Sequence, residues 1–175
     1  MKDPHGPGRG LTPARCNSNL RSGIVRIEYI VFTKAECRLA WKIFADCQLW
    51  PKFLDAYGRI EWRGVPWLPG SRLQIDLLRP VAAKQDRVIT VCSPPRCVEW
   101  INHVLGYTME QCVLFDPHLS GGTRVSTWIE GTGPALSVGG HDLREVVEDY
   151  VKEWFDNFCV ECDRIAGNHS SEGEK

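Results

Sequence analysis

The spacing of hydrophobic residues changes twice along this 175-residue chain. Residues 24–32, IVRIEYIVF, are β-branched and aromatic, and they predict a first strand. Apolar residues then recur every three to four positions at Cys37, Trp41 and Phe44, which predicts a helix. A second, short helix follows in LWPKFLDAYG, where Pro51 fits the first turn. The chain therefore begins with one strand and two short helices.

Thr33 and Glu36 predict where the first of these helices begins. A threonine followed three residues later by a glutamate forms a capping box, in which each side chain accepts a hydrogen bond from the backbone N–H of the other residue. We therefore expect the helix to start directly after Thr33.

Between Tyr57 and Thr132 the hydrophobic pattern has a period of two, which is typical of half-buried strands. Turn residues such as Pro69–Gly70 and Ser120–Gly122 separate the strand-length segments. Links this short join antiparallel neighbours, because a parallel connection needs a crossover of about a dozen residues. The predicted strands are RIEW, SRLQIDLLR, DRVITVC, RCVEWINHV, YTMEQCVLF and TRVSTWIEG.

A long amphipathic helix is predicted in HDLREVVEDYVKEWFDNFCVECDRIAG, residues 141–167. Its apolar residues keep intervals of three and four without a break, and Gly167 is expected to end it. Its polar side is mostly acidic, which is typical of a solvated face and not of one bound to an anionic membrane. A sheet with one apolar face must cover that face. We therefore expect this helix to lie across the concave side of a curled sheet.

Composition and charge exclude several classes of function. The formal net charge of −1 and the lack of a basic block argue against a nucleic-acid partner. No apolar run approaches the ~20 residues of a membrane span. Residues 1–22 lack the apolar centre of a secretion signal and predict a disordered leader, and residues 168–175 predict a disordered tail. We expect one domain, residues 23–167, located in the cytoplasm.

The eight cysteines do not predict a disulfide framework, because a domain of this size builds a core without one. Cys37, Cys97 and Cys112 stand among apolar neighbours and are interpreted as reduced core residues. Cys159 and Cys162 lie late in the long helix, with no second pair at the spacing of a zinc site. Buried helix positions are therefore preferred to a metal site, and the sequence predicts no metal and no cofactor.

Several segments resemble the START-like, or SRPBCC, superfamily, which includes the birch-pollen allergen fold, polyketide cyclases and aromatases, and lipid-transfer domains. They are AWKIFADCQLWPKF, LPGSRLQIDL, SPPRCVEWINHVLG, EQCVLFDPHLSGGTRVSTWIEGTG and the closing long helix, so the resemblance covers about residues 24–166. It implies an α+β helix-grip fold, in which a curved seven-stranded antiparallel sheet wraps around the long C-terminal helix and two short helices follow strand 1. It also implies a cavity between sheet and helix for a small hydrophobic or amphipathic ligand.

The residues expected to line such a cavity alternate along three predicted strands or lie on the long helix. A curved sheet and a straight helix cannot touch along their whole length, so bulky side chains or a ligand must fill the gap. Trp154 has two interpretations, since a tryptophan on a buried face either fills core space or lines a cavity. The candidate ligand-binding residues are Leu73, Ile75, Leu77, Trp100, Asn102, Tyr107, Met109, Gln111, Tyr150 and Trp154.

Two other tryptophans have open assignments. Trp67, in the loop RGVPWLPG, is a candidate lid or portal residue, and its alternative is an aromatic plug over the end of the core. The alternation does not decide whether Trp128 or its neighbours Thr127 and Ile129 point inward.

The sequence supports three classes of function, and the first is a binding or carrier module for a small lipid-like or polyketide-like ligand. The second is an enzyme resembling polyketide cyclases or aromatases, and the third is a protein-interaction module with a collapsed cavity. No catalytic residue is assigned, because no Ser/His/Asp order, HExxH or phosphate loop occurs and His103 is expected on an outer strand face. The expected partner is the small hydrophobic ligand, without membrane insertion, and the chain is expected to be a monomer or a homodimer.

Overall fold

The described part of the chain covers nearly all of the predicted domain. Residues 1–22, the predicted leader, lie outside the described residues, as do residues 173–175 at the end of the predicted tail. The computed structural model describes residues 25–79, 82–104, 106–132, 137–138 and 141–172.

Seven strands form one antiparallel sheet, and each coincides with a segment of alternating polarity. Neighbouring strands in the sheet are also neighbours in sequence, except that β1 pairs with β7. This leaves β1 and β2 at the two edges. The strands are β1 Val25–Thr33, β2 Tyr57–Arg63, β3 Arg72–Leu77, β4 Ala83–Ser93, β5 Cys97–Val104, β6 Tyr107–Pro117 and β7 Thr123–Thr132.

Two short helices follow β1, and one long helix packs on the sheet, which confirms the predicted α+β helix-grip fold. A two-stranded pair, β8 and β9, precedes the long helix. The bounds are α1 Cys37–Ala45, a 3-10 turn Cys47–Leu49, α2 Trp50–Phe53, β8 Ser137–Val138, β9 His141–Asp142 and α3 Leu143–Glu172. Among the helices of the described residues, none has both the length and the apolar character needed to cross a bilayer.

The ends of two helices differ from the prediction. Helix α1 begins at Cys37 and not after Thr33, and no side chain caps its start. The Thr33 hydroxyl instead accepts a hydrogen bond from Ala35 N–H (3.1 Å) and donates one to Asp163 Oδ1 (2.5 Å), so a partner on α3 replaces the capping box. Helix α3 continues past Gly167 to Glu172, so the predicted boundary at residue 167 falls inside a helix.

Helix α3 is tied to the sheet and to α2 by side-chain hydrogen bonds. Tyr29 of β1 donates to Asp156 Oδ1 (2.7 Å), and the backbone N–H of Lys34 donates to Asp163 Oδ1 (2.7 Å). Asn157 Nδ2 donates to the carbonyl oxygen of Phe53 in α2 (2.7 Å). These contacts hold one side of α3 against β1 while its apolar side faces the concave surface of the sheet.

The two halves of α3 meet different surroundings. In the second half, Phe158 and Cys162 are fully buried and pack with the inner faces of the sheet and the short helices. In the first half, Tyr150 and Trp154 face a cavity. The burial pattern of β7 also decides the open assignment there, because Thr127 is buried on the inner face and Trp128 is half-exposed on the outer one.

Gly122, at the turn into β7, has a conformation and a location that require glycine. Its φ is +78°, and a Cβ at this position would lie 2.1 Å from the carbonyl oxygen of Thr33. Any larger residue would push the end of β1 away from β7. Gly122 therefore permits the close approach between β1 and β7, which are the first and last strands of the sheet in sequence and neighbours in space.

Candidate functional site

A cavity of about 110 Å³ lies between the concave face of the sheet and the first half of α3. A single water molecule needs about 10–15 Å³ on this scale, so the space holds more than one water. Most of its wall is aromatic or aliphatic. The lining residues are Phe44, Trp50, Tyr57, Leu77, Gln85, Arg87, Trp100, Asn102, Val104, Tyr107, Met109, Gln111, Ile129, Val146, Val147, Tyr150, Val151, Trp154 and Phe155.

Most of the residues that the sequence proposed for ligand binding are brought together in this wall. Leu73 and Ile75 are the exceptions, since both are buried in the packed core and neither lines the cavity. The reason is geometric, because the cavity reaches β3 only at its last residue. The predicted residues that line the cavity are Leu77, Trp100, Asn102, Tyr107, Met109, Gln111, Tyr150 and Trp154.

Trp67 does not line the cavity. Its backbone has a positive φ of 64°, and its indole N–H donates to the carbonyl oxygen of Ala45 (3.0 Å). Its ring packs against those of Trp41, Phe44 and Trp62, with centroid distances of 5.7, 5.5 and 5.0 Å. These contacts favour the interpretation of Trp67 as an aromatic plug over the end of the core. They give less support to its interpretation as a lid or portal residue.

Inward side chains of β4 and β5 give the apolar wall part of its polar character. Arg87 on β4 lies opposite Asn102 on β5, and both are about 6% exposed. Arg87 Nη2 donates to Gln85 Oε1 (3.1 Å), while Asn102 Oδ1 has no hydrogen-bond partner among the described residues. The cavity is therefore an apolar space with one end rich in hydrogen-bonding groups.

Arg87 is not among the residues predicted from the sequence to bind a ligand, and a bulge in β4 obscures its inward orientation. The pairing of β4 with β5 shifts by one residue between Ile89 and Val91. Without that shift the hairpin would place Val88 opposite Asn102, and Arg87 would point outward. A period-two pattern read from the turn therefore assigns Arg87 to the wrong face, and the local sequence gives no glycine or proline that marks the bulge.

The titratable neighbours of Arg87 are protonated and neutral at neutral pH, and burial disfavours their ionisation further. Burial raises the pKa of the Tyr150 hydroxyl well above its usual value, although the charge of Arg87 acts in the opposite direction. Burial likewise raises the pKa of the Tyr57 hydroxyl, and that of the Cys47 thiol to about 12. Because loss of a proton is disfavoured at all three groups, none supplies a negative charge beside Arg87.

The cavity wall contains no histidine and no carboxylate among the residues that the structure describes. General acid–base catalysis usually depends on such a group within hydrogen-bond distance of the substrate. The wall instead contains phenols, a guanidinium and side-chain amides. They belong to Tyr57, Tyr107, Tyr150, Arg87, Gln85, Asn102 and Gln111. Gln111 already donates its amide to Thr127 Oγ1 (3.1 Å). This arrangement is suited to binding and orienting a ligand.

The described cysteines are free thiols. Burial raises the pKa of the Cys159 thiol to about 12 and also raises that of Cys162, which agrees with buried helix positions. On the outer face of the sheet, Cys97 and Cys112 place their Sγ atoms 4.0 Å apart, with Glu99 nearby. Burial raises the pKa of both of these thiols too, that of Cys112 to about 12, so neither is a thiolate at neutral pH.

Comparisons with known proteins identify the fold. No protein-family model matches the sequence, and no curated protein matches it. Among solved structures, a START superfamily protein from Mycobacterium smegmatis has a TM-score of 0.66 at 8% identity, covering 81% of this chain and 99% of that one. The structure of Ara h 8.0201 has a TM-score of 0.66 at 12% identity, covering 80% and 98%.

An enzyme is also among the similar structures. The Zhui aromatase/cyclase from Streptomyces sp. R1128 has a TM-score of 0.65 at 15% identity, covering 81% of this chain and 95% of that one. At identities this low the likeness shows the fold alone. The chain has a START-like helix-grip fold, as the resemblance of its segments implied.

Proposed function

We propose that this protein binds a small hydrophobic or amphipathic molecule in the cavity between its sheet and the first half of α3. The observation that carries the proposal is the cavity of about 110 Å³, walled mostly by aromatic and aliphatic side chains. Ligand sites in proteins combine such a wall with a few placed polar groups, as Arg87 and Asn102 are here. The shared fold with a START superfamily protein supports the same conclusion by analogy.

Binding is preferred to the two alternatives for separate reasons. In a protein-interaction module with a collapsed cavity, bulky side chains would fill the gap between sheet and helix, whereas here Tyr150 and Trp154 face a cavity. A cyclase-like enzyme shares the fold, as the aromatase/cyclase structure does. Binding has more support than that chemistry, because the described wall has no histidine or carboxylate and burial disfavours loss of a proton from Tyr57 and Tyr150.

The test is a binding titration with the neutral fluorophore N-phenyl-1-naphthylamine and the variant Met109→Trp. Met109 is 9% exposed and lines the cavity, so the larger indole should occupy part of the space. We expect the variant to bind the fluorophore at least ~10-fold more weakly, since filling the site removes ligand contacts worth roughly 1.4 kcal/mol or more. Glu110→Trp is the matched control, because it adds the same indole to the exposed outer face of the same strand.

Both variants should retain one cooperative thermal transition. The proposal would be contradicted if the unmodified protein did not bind the fluorophore, or if both variants bound it as the unmodified protein does. An equal loss of affinity in Glu110→Trp would place the fluorophore elsewhere on the protein.

A further inference from the structure

Arg87 is a buried cation in the wall of an otherwise apolar cavity. Its side chain projects from the inner face of β4, opposite Asn102, and the residue is 6% exposed. An arginine guanidinium is a permanent cation with five N–H donors and no acceptor. Moving such a group out of water is strongly unfavourable unless an anion or several acceptors compensate for the lost hydration. The groups around Arg87 therefore decide what the cavity is built to hold.

The protein compensates Arg87 only in part. Nη2 donates one hydrogen bond to Gln85 Oε1, and Nε has no partner among the described residues. The hydroxyls of Tyr57 and Tyr150 also lie close enough to interact with the guanidinium, but both are neutral. The guanidinium carbon lies 5.3 Å from the ring centroid of Trp50 and 5.2 Å from that of Trp100. Aromatic rings at this distance attract a cation, but they carry no net charge that would neutralise it.

No described side chain supplies the missing negative charge. Every ion pair formed by the described residues involves partly exposed side chains, and Arg87 is in none of them. Burial raises the pKa values of Tyr57, Tyr150 and Cys47, so these neighbours stay protonated near neutral pH. The cavity wall, as far as it is described, therefore carries a positive charge.

The remaining unpartnered polar atoms in the wall are mostly donors. Arg87 Nε, Trp100 Nε1 and Trp154 Nε1 have no partner among the described residues, and each of them donates only. The Tyr150 hydroxyl can donate or accept and lies beside the Tyr57 hydroxyl and Arg87. Asn102 Oδ1 is an acceptor without a partner among the described residues. A ligand complementary to this wall needs more acceptors than donors, and it needs a negative charge.

We propose that the ligand is a small amphipathic carboxylic acid whose carboxylate binds Arg87 and whose apolar body lies against the aromatic wall. A carboxylate accepts hydrogen bonds through both oxygens and matches the planar fork of a guanidinium. The inference rests on the ligand-binding function proposed above and adds to it the chemical class of the ligand. It assigns the carboxylate end of the ligand to the part of the cavity near Arg87 and Asn102.

The test compares acids with neutral molecules of the same shape. Displacement of N-phenyl-1-naphthylamine from the full-length protein is measured with two pairs of competitors: 2-naphthoic acid against 2-naphthalenemethanol, and decanoic acid against decanol. At pH 7.5 we expect the acid of at least one pair to bind 10- to 100-fold more tightly than its alcohol, roughly the effect of one hydrogen bond to a charged group.

Arginine variants then assign any such preference to Arg87. In Arg87→Met, the affinity for the acid should fall at least ~10-fold more than that for the alcohol, because only the carboxylate loses a charge-assisted hydrogen bond. Arg72→Met is the matched control, since it makes the same change at an exposed arginine on the outer face of the adjacent strand β3. Arg87→Lys keeps the charge and should retain part of the preference for the acid.

The outcomes separate this inference from the proposed function. If the neutral fluorophore binds but neither acid is preferred to its alcohol, the carboxylate inference is overturned and the binding function stands. If the acid is preferred equally in Arg87→Met, Arg87 is not its partner and the inference is again overturned. If no fluorophore binds to the unmodified protein, the binding function itself fails. The comparison of acid with alcohol needs no variant, so it remains decisive even if Arg87→Met does not fold.

Discussion

Phe158→Ala tests whether the second half of α3 is held by a packed aromatic core. Phe158 is fully buried. Its ring lies 5.4 Å from that of Trp154, 5.6 Å from that of Phe53 and 6.2 Å from that of Phe44, so it joins the long helix to both short helices. Removing the ring leaves a void that these neighbours fill only in part, because each is fixed by further aromatic contacts.

We expect Phe158→Ala to lower the free energy of unfolding by about 3–5 kcal/mol, the usual range for truncating a fully buried phenylalanine. Its aromatic pairs each add roughly 0.5–1.5 kcal/mol beyond the buried area, which favours the upper part of that range. For a chain of this size, 1 kcal/mol shifts Tm by about 2–4 °C, so a loss of 4 kcal/mol corresponds to about 8–16 °C.

Urea denaturation followed by tryptophan fluorescence and by circular dichroism measures the effect. Val160→Ala is the control on the same helix, since Val160 is 68% exposed and its truncation should change stability by less than ~0.5 kcal/mol. The loss of stability in Phe158→Leu should be larger than that in Val160→Ala and smaller than that in Phe158→Ala. A loss below about 1.5 kcal/mol in Phe158→Ala would refute the reasoning, because it would mean that α3 does not pack on the sheet and short helices as described.

Two further predictions concern the fastening of α3 and the buried thiols. Asp163→Ala removes the acceptor for Thr33 Oγ1 and Lys34 N–H, and thermal melts should show that the free energy of unfolding falls by about 2 kcal/mol. Asp163→Asn keeps an acceptor and should largely restore the stability. Equal losses in the two variants would argue against these hydrogen bonds. Iodoacetamide at pH 8 should leave Cys47 and Cys159 unmodified in the folded protein and label both in guanidinium, because burial raises the pKa of each thiol to about 12 in the native state. If mass spectrometry detected rapid labelling of the folded protein at these residues, that would contradict their burial.

The sequence predicted the sheet accurately because one face of each strand is buried. A period of two along YTMEQCVLF, for example, places Tyr107 and Met109 on the inner face of β6, where the structure has them. The same logic predicted the long helix, whose apolar stripe needed a sheet to cover it. Patterns of burial are local in sequence, so these elements could be predicted without knowledge of their partners.

Helix ends were harder to predict, because their determinants are not local. Thr33 has the sequence signature of a capping residue, yet its hydroxyl bonds Asp163, about 130 residues away. Gly167 has the signature of a helix end, yet α3 continues past it to Glu172. Gly167 has no neighbour within 4 Å of where a Cβ would lie, so no packing contact stops the helix there. At Thr33 a tertiary contact overrides the local capping signal. At Gly167 no tertiary contact reinforces the local signal that would end the helix.

The division of α3 into two halves also separates stability from binding in this fold. Residues in the packed half, such as Phe158, have neighbours on all sides, so their truncation loses contacts in every direction. Residues such as Met109 and Tyr150 face the cavity, so part of their surface has no protein contact to lose. Substitutions at the cavity should therefore change ligand affinity more than folding stability, and substitutions near Phe158 should do the reverse. Arg87 should affect both properties, because a buried charge without a counter-ion weakens the free protein and, under the inference above, is compensated when a carboxylate binds.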